Sequence, residues 1–287
     1  MDRKRLARIA MTEALRVRRK CGYSPWEPVC VYDLAERVGV EVRFLDIPSM
    51  EGIYLQCSNP QIMVSSLRPP GRQAFTCAHE LGHHIFNHGD QFDELIDSRS
   101  EARRSSPEEF IANCFAGILL MPKTMVNRGF SVRSLDPSTC PPEAFYIVGC
   151  WVGVGYTTII HHLNKALRVI PDAKATELLR SRPKIIRSTI LGRECPGDLI
   201  VADQYWNGRA IDTQVSDFIL LPPNAIIEDE CVAVVEQCNL RTLVQAKAPG
   251  IGRVFTRNPE WSAFIRTSKK NYIGRAIYRF LEEADDG

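Results

Sequence analysis

Four of the chain's six histidines lie in one short stretch, FTCAHELGHHIFNH, at residues 75–88. Side chains four residues apart share one face of an α-helix, so His79 and His83 can direct two imidazole nitrogens at one zinc ion. Glu80 follows the first histidine directly; it cannot easily ligate the same ion, but it can accept a proton from water that zinc has made more acidic. The spacing H-E-x-x-H therefore predicts a zinc-dependent hydrolytic site.

A catalytic zinc site needs a third protein ligand and an open fourth position. The continuation H-x-x-G-x-x-H is ruled out because Phe86 and Gly89 occupy the positions that need glycine and histidine. We therefore expect a carboxylate from a later segment. The candidates are Asp90, Asp93, Glu94, Asp97, Glu101, Glu108 and Glu109.

Glu109 is the preferred third ligand because it begins the apolar segment EFIANCFAGILLM, which is predicted to form a helix. The preceding residues Ser105, Ser106 and Pro107 are typical of a helix N-terminus. Ala112 and Ala116 would let this helix approach the histidine helix closely. Asn113, one turn beyond the ligand, is predicted to orient a zinc-ligating histidine as an outer partner.

The remaining histidines are open to several interpretations. His84 and His88 form a second pair four residues apart on another face, where hydrogen-bonded histidines are favoured over a second metal site. His161 and His162 end a helix, where cationic side chains are stabilised. Stabilisation of an oxyanion by one of these two is the alternative.

The ten cysteines have scattered spacings and no C-x-x-C pair, so they predict reduced thiols in a cytoplasmic protein rather than a disulfide framework or a zinc ribbon. Since a thiolate is a strong zinc ligand, a cysteine that filled the open position would silence the site. Cys57 and Cys140 are the candidates for such an inhibitory thiol, and inert buried thiols are the alternative.

Both motifs resemble the ImmA/IrrE family of zinc metallopeptidases. The family pattern F-T-x-A-H-E-x-G-H is matched from Phe75 to His83, and E-x-x-A-N-x-F-A-x-x-L-L-M-P is matched from Glu109 to Pro122. Many members carry a second acid two residues after the glutamate, where this chain has Ile111. The resemblance covers about residues 25–165, and it implies Zn²⁺ bound by His79, His83 and Glu109 with Glu80 as the catalytic base.

The resemblance also implies an α+β, zincin-like fold followed by a small helix-turn-helix-like unit. Members are cytoplasmic regulatory proteases that cleave a helix-turn-helix repressor, often after DNA damage, in stress responses or in phage defence. Some carry a C-terminal sensor domain similar to GAF. For this chain we expect a protein substrate, with a nucleic acid or a small molecule as a possible activator.

The rest of the sequence suggests two domains: residues 1–170, with the helical unit at about 123–165, and a β-rich sensor or regulatory domain at 171–287. Residues 52–57 are predicted to form an edge strand along which substrate adds a further strand. Residues 90–107 read as a loop or flap, and a final helix is predicted near residues 273–283.

The overall charge of +2 does not by itself indicate a nucleic-acid or membrane partner, but residues 1–20 carry eight Lys or Arg against two acids. A surface helix with a modest apolar stripe is favoured over a presequence or a nucleic-acid-binding helix. No membrane span is expected, since the uncharged run at residues 144–160 is broken by glycines and reads as two packed helices.

Two rival functions remain open. A non-catalytic regulator with structural zinc would normally use four protein ligands and would not need Glu80. A DNA-binding regulator would need Arg, Lys, Asn or Gln on its recognition helix, and the helical unit around 144–163 is mostly apolar. That unit is therefore interpreted as a packing element.

Overall fold

The computed structural model describes residues 2–94, 106–257 and 260–281. The chain divides into two compact units, Met1–Arg180 with Ile273–Ile277, and Ser181–Tyr272 with Tyr278–Gly287. The first unit includes a helix beyond the predicted domain boundary at residue 170. This helix is tied to the unit by the Tyr156 hydroxyl, which donates a hydrogen bond of 2.7 Å to the carbonyl of Leu178.

The first unit combines helices with one mixed sheet, as the α+β prediction requires. Its described helices are α1 (Arg3–Lys20), α2 (Val31–Arg37), α3 (Pro70–Ile85), α4 (Pro107–Leu120), α5 (Lys123–Ser131), α6 (Pro142–Val152), α7 (Tyr156–His161) with the π-helical turn His162–Ala166, and α8 (Asp172–Leu179). Its described strands are β1 (Glu41–Leu45), β2 (Met50–Leu55), β3 (Gln61–Ser65), β4 (Gln91–Glu94) and β13 (Gly274–Arg275).

The sheet has the order β13-β1-β3-β2-β4, in which β1 and β3 are parallel and the other neighbours are antiparallel. Alternate residues of β1, β2 and β3 are buried, as expected where one face of a strand packs on a helix. Strand β2 contacts α3, the helix that carries the histidines. The sheet thus supports the predicted metal site from one side.

The prediction that residues 52–57 form an edge strand is wrong. Strand β2 is hydrogen-bonded on both sides, to β3 and to β4, with Ile53 opposite Phe92. The segment that was predicted as a loop therefore begins with a strand, and in the described part of this sheet β4 forms the edge beside β2. Its polar sequence QFDE has little strand propensity, so pairing with β2 decides its conformation.

Helix α1 packs against α4, and its buried stripe consists of Leu6, Ala10, Ala14 and Val17. Helix α1 therefore buries one face and exposes the other, as the surface-helix interpretation of the basic N-terminal segment requires. Arg18 is buried as well, and its guanidinium donates to the carbonyl of Leu119 at the C-terminal end of α4 and to the carbonyls of Ser24 and Glu27. Burial lowers the pKa of Arg18 to about 10.

Helices α6 and α7 with its π-helical turn form the predicted helical unit, and they are bent by 102° at Gly153, which has a φ of +87°. Their apolar side chains face inward, including Phe145, Trp151 and Ile159. No Arg, Lys, Asn or Gln occurs in α6 or α7. In the π-helical turn Asn164 is buried and the exposed Lys165 pairs with Asp172, so the unit agrees with its interpretation as a packing element.

One continuous helical stretch of the described residues, Pro107–Ser131, is long and apolar enough to cross a membrane. Of its most apolar window, 67% is buried inside the protein. Such burial is typical of a core helix, and this stretch holds the candidate ligand Glu109.

The second unit is β-rich, as predicted. It contains helix α9 (Pro183–Leu191) and two four-stranded sheets. The first has the order β5 (Leu199–Val201), β7 (Phe218–Leu221), β10 (Arg241–Ala246) and β9 (Val232–Cys238), and the second has the order β6 (Arg209–Gln214), β12 (Trp261–Ser268), β11 (Gly250–Thr256) and β8 (Ile226–Ile227). Its similarity to a GAF domain stays a prediction.

The predicted final helix near residues 273–283 is wrong for the described residues. Gly274 and Arg275 form strand β13, which pairs antiparallel with Phe44 and Arg43 of β1, and only a short 3-10 turn follows. Arg275 also forms an ion pair of 3.1 Å with Glu41, which lies in β1. Pairing with a distant strand has overridden the local helical pattern.

Candidate metal centre

Helix α3 carries three of the predicted site residues. His79 and His83 are one helical turn apart, with Nε2 atoms 3.0 Å from each other. Both side chains are buried, and the intervening Glu80 is fully buried too. Burying three polar side chains on one helix is costly unless they bind a partner.

Helix α4 supplies the third member. Ser106 caps this helix by accepting a hydrogen bond of 3.1 Å from the backbone N–H of Glu109, so the glutamate lies in the first turn, where a carboxylate is favoured by the helix dipole. The Glu109 oxygens lie 3.3 Å from Nε2 of His79 and 3.5 Å from Nε2 of His83. Together the three residues form the one metal-ligand cluster among the described residues.

The close approach of α3 and α4 depends on small residues, as predicted. A Cβ atom at Gly82 would lie 3.1 Å from the Cα of Ala112 and 3.3 Å from its carbonyl oxygen. Gly82 stands between the two histidines on α3, and Ala112 lies one turn after Glu109 on α4. The contact of these backbones is therefore what brings the carboxylate to the imidazoles.

The cluster fits a tetrahedral metal ion. Ligands bound to tetrahedral zinc at roughly 2.0–2.1 Å lie about 3.3–3.4 Å from one another. The three separations observed here, 3.0, 3.3 and 3.5 Å, bracket that value. Two imidazole nitrogens with one carboxylate oxygen form a donor set that catalytic zinc sites use, with one position left open.

Glu80 reaches towards the sheet and contacts β2 at Gly52. A Cβ atom at Gly52 would lie 2.7 Å from Oε1 of Glu80 and 2.5 Å from Cγ2 of Thr76. Strand β2 can therefore lie this close to α3 only because residue 52 has no side chain. The sequence placed residue 52 in a predicted strand and gave no sign of its contact with Glu80.

The second histidine pair is split between different partners. Nδ1 of His84 lies 2.7 Å from the Tyr54 hydroxyl, whereas Nδ1 of His88 lies 2.9 Å from Nδ1 of His83. Burial lowers the pKa of both His84 and His88. The hydrogen-bonded alternative is therefore the observed one, and no second cluster is found in the described ranges.

The role predicted for Asn113 is wrong. Its side chain is exposed and donates a hydrogen bond of 2.8 Å to the backbone carbonyl of Glu109, within its own helix. Its position one turn after the ligand directs it along α4 rather than towards α3. The side chain of His88, for which the sequence favoured a hydrogen bond over a second metal site, contacts the imidazole of His83.

Two of the other candidate carboxylates, Asp90 and Glu108, have described side chains, and neither joins the cluster. Asp90 is exposed and accepts a hydrogen bond of 2.7 Å from the backbone of Gln56, and Glu108 is exposed. Asp97 and Glu101 lie outside the described residues, and Asp93 and Glu94 are described only in their backbone. Among the candidates with a described side chain, Glu109 is the one that meets the histidines.

Neither candidate inhibitory thiol belongs to the cluster. Cys57 is exposed in the turn after β2, and its Sγ donates to the carbonyl of Asn59. Cys140 is buried in the loop before α6, and burial raises its pKa, which disfavours the thiolate that binds metal.

His162 is not placed to stabilise an oxyanion. Its Nε2 donates a hydrogen bond of 2.9 Å to the carbonyl of Met121, and its ring packs on Gly117 of α4. Burial lowers the pKa of His162 to about 4. It is a neutral packing residue at the end of α4.

One family model matches the part of the chain that carries the cluster. Residues 35–132, which include α3, β4 and the whole of α4 and α5, match the family model described as the IrrE N-terminal-like domain of the M78 peptidases. No curated protein matches the chain. A solved structure of a Mycobacterium tuberculosis transcriptional regulator is similar at 21% sequence identity and a TM-score of 0.38, over 54% of this chain and 46% of that one.

Proposed function

We propose that the chain is a zinc-dependent endopeptidase, because residues 35–132 match the family model of the IrrE N-terminal-like domain of the M78 peptidases. The observation that carries this proposal is the convergence of His79, His83 and Glu109 from two helices, with Glu80 buried beside them. A structural site would need a fourth protein ligand, and the described cluster has three. Zinc is the proposed metal because two imidazoles and one carboxylate suit it.

Each residue then has a defined role. His79, His83 and Glu109 hold the metal, which supplies Lewis acidity to the carbonyl and makes water more acidic. Glu80 accepts a proton from the attacking water as its oxygen bonds to the carbonyl carbon. The same carboxyl then delivers that proton to the amide nitrogen as the C–N bond breaks.

The test compares three matched glutamate variants. Glu80→Gln should bind one equivalent of Zn²⁺ and lose peptidase activity, because the amide cannot accept the proton. Glu109→Gln should bind Zn²⁺ far more weakly, since a neutral amide replaces a charged ligand. Glu108→Gln, which alters the exposed neighbour in the same helical turn, should leave both properties unchanged.

Zn²⁺ stoichiometry is measured by elemental analysis, and cleavage by a quenched fluorogenic peptide library. Wild-type activity in Glu80→Gln would refute the role of the base. Absence of bound metal in the carefully purified wild type would refute the metal centre.

We further propose that the substrate is a small helix-turn-helix repressor, that cleavage acts in a stress, DNA-damage or phage-defence response, and that the second unit senses the activating signal. The support is the family resemblance together with a separate β-rich unit that the metal centre does not use. The ten cysteines have scattered spacings and no C-x-x-C pair, which favours a reducing, cytoplasmic location. Incubation with a helix-turn-helix protein encoded beside the chain should give discrete fragments with the wild type and none with Glu80→Gln.

A second candidate function, binding of nucleic acid, is favoured by the outer face of α1. Seven cations are exposed on this helix, namely Arg3, Lys4, Arg5, Arg8, Arg16, Arg19 and Lys20. The first turn holds cations and no acid, which the helix dipole disfavours, so local stability does not account for them.

Fluorescence anisotropy with a labelled DNA duplex tests this second function. If α1 contacts phosphates, glutamine at Arg5, Arg8 and Arg19 together should reduce the salt dependence of binding by about three units of slope. The same change at the exposed Arg128, Arg168 and Arg180 of the first unit is the control. An equal decrease of the salt-dependence slope in both triple variants would show that DNA binding depends on net charge alone and not on α1.

A further inference from the structure

The C-terminal end of α3 turns the chain back onto a metal ligand. Phe86 is the C-cap residue of α3, and the next residue, Asn87, adopts the left-handed conformation with a φ of +54°. The N–H of His88 donates to the carbonyl of His83 at 3.1 Å, and the N–H of Asn87 donates to the carbonyl of His84 at 3.2 Å. These two hydrogen bonds define a Schellman motif, in which His88 returns beside His83.

A Schellman motif usually brings together two apolar side chains at these positions. Here both are histidines, and their Nδ1 atoms lie 2.9 Å apart. The ring of His88 also stacks on Phe86, with centroids 5.9 Å apart and planes 22° apart, and Phe86 contacts Phe115 of α4 edge to face. The orientation of His88 is therefore set by the helix cap and by aromatic packing.

The hydrogen bond between the two rings restricts how their protons are arranged. His83 presents Nε2 to the cluster, so in the neutral ligand the proton resides on Nδ1. That N–H donates to Nδ1 of His88, which accepts with its lone pair and keeps its own proton on Nε2. A hydrogen-bond acceptor on the outer nitrogen of a ligating histidine holds both the tautomer and the ring orientation.

We propose that His88 is the positioning residue for the metal ligand His83, placed by the helix cap rather than by the H-E-x-x-H motif itself. The inference rests on the metal centre of the proposed function but not on its peptidase chemistry. Its consequence is that a residue outside the ligand set controls metal affinity.

The test measures Zn²⁺ affinity by competition with a chromophoric chelator, and the visible spectrum of the Co²⁺-loaded protein, for three substitutions. His88→Ala should bind Zn²⁺ roughly 10–100-fold more weakly and alter the Co²⁺ spectrum, because His83 loses its orienting acceptor. His88→Gln should recover most of the affinity, since an amide oxygen can accept the same hydrogen bond. His84→Gln, which alters the neighbouring pair with Tyr54, should stay within about threefold of wild type.

Variants at Asn87 test whether the cap delivers His88. Asn87→Gly tolerates a positive φ and should keep wild-type affinity, whereas the β-branched side chain of Asn87→Val strains this conformation and should weaken binding. Thermal unfolding of the metal-free proteins shows whether each variant is folded.

The possible failures are distinguishable. If the wild type binds Zn²⁺ and His88→Ala binds it equally well, the inference fails while the metal centre stands. If Gln does not recover affinity, or His84→Gln weakens binding as much as His88→Ala, a general packing effect replaces the positioning role. A wild type without Zn²⁺ affinity overturns both the inference and the proposed function.

Discussion

Replacement of Gly52 by alanine should displace the catalytic carboxylate while leaving the metal ligands intact. The new Cβ would lie 2.5 Å from Cγ2 of Thr76 and 2.7 Å from Oε1 of Glu80. Ordinary van der Waals contact begins near 3.4 Å, so these atoms must separate by about 0.7–0.9 Å. Because β2 is fixed by strands on both sides, we expect the Glu80 side chain to give way.

A misplacement of about 1 Å in a catalytic group can lower the rate roughly 100-fold. We therefore expect kcat of Gly52→Ala to fall by about that factor, with Zn²⁺ affinity within a few-fold of wild type. Overpacking should also lower the free energy of unfolding by about 1–3 kcal/mol. Cleavage rates of the fluorogenic peptide library, chelator competition and urea unfolding measure the three effects.

A double variant separates the two contacts. Adding Thr76→Ser to Gly52→Ala removes the Cγ2 atom and should recover stability, but the clash with Glu80 remains and kcat should stay low. Full recovery of kcat in the double variant would show that general packing, rather than the position of Glu80, limits the rate. Wild-type kcat in Gly52→Ala alone would refute the reasoning.

Three further predictions concern stability. The pKa of His162 is lowered from 6.5 to about 4, so the unfolded state binds more protons between these values, and stability should fall by roughly 3 kcal/mol as pH falls through this window. In urea unfolding, His162→Gln should not show this loss of stability at low pH. A pH profile of stability identical to that of the wild type would contradict the prediction. Burial raises the pKa of Asp217 from 3.8 to about 6, so ionisation of this carboxyl opposes folding as pH rises through that range. Asp217→Asn should therefore raise the free energy of unfolding by about 1–3 kcal/mol at pH 7.5 and leave it unchanged at pH 3.5. Equal effects at both pH values would count against this prediction. Arg18→Leu should lower the free energy of unfolding by about 2–4 kcal/mol, because buried carbonyls lose a charged hydrogen-bond donor. The control Arg19→Leu, at an exposed position, should change it by no more than about 0.5 kcal/mol. Equal melting temperatures of the two variants would show that Arg18 does not stabilise the end of α4.

Local patterns predicted the parts of the site that lie on single helices. The spacing of His79 and His83 fixes their common face because an α-helix has 3.6 residues per turn. The start signal before Glu109 fixes that residue in a first turn, since side-chain capping and the helix dipole act within a few residues. Gly82 and the alanines of α4 indicated a close helix contact, which the structure has at Gly82 and Ala112.

Long-range pairing decided what local patterns could not. Residues 91–94 and 274–275 have weak or misleading local preferences, and each becomes a strand only because a hydrogen-bonding edge is available on β2 or β1. The direction of Asn113 likewise depends on how α4 is rotated against α3, and sequence spacing does not contain that angle.

The sequence alone therefore determined the types of the three clustered side chains, their helical register and the place of Glu80, the proposed base, between the two histidines. Tertiary structure decided that β2 is an interior strand, that Gly52 lies against Glu80, and that His88 rather than Asn113 contacts a ligand imidazole. The physical reason is range: turn geometry, capping and helical periodicity act over a few residues. Strand pairing and helix packing depend on which distant surfaces meet.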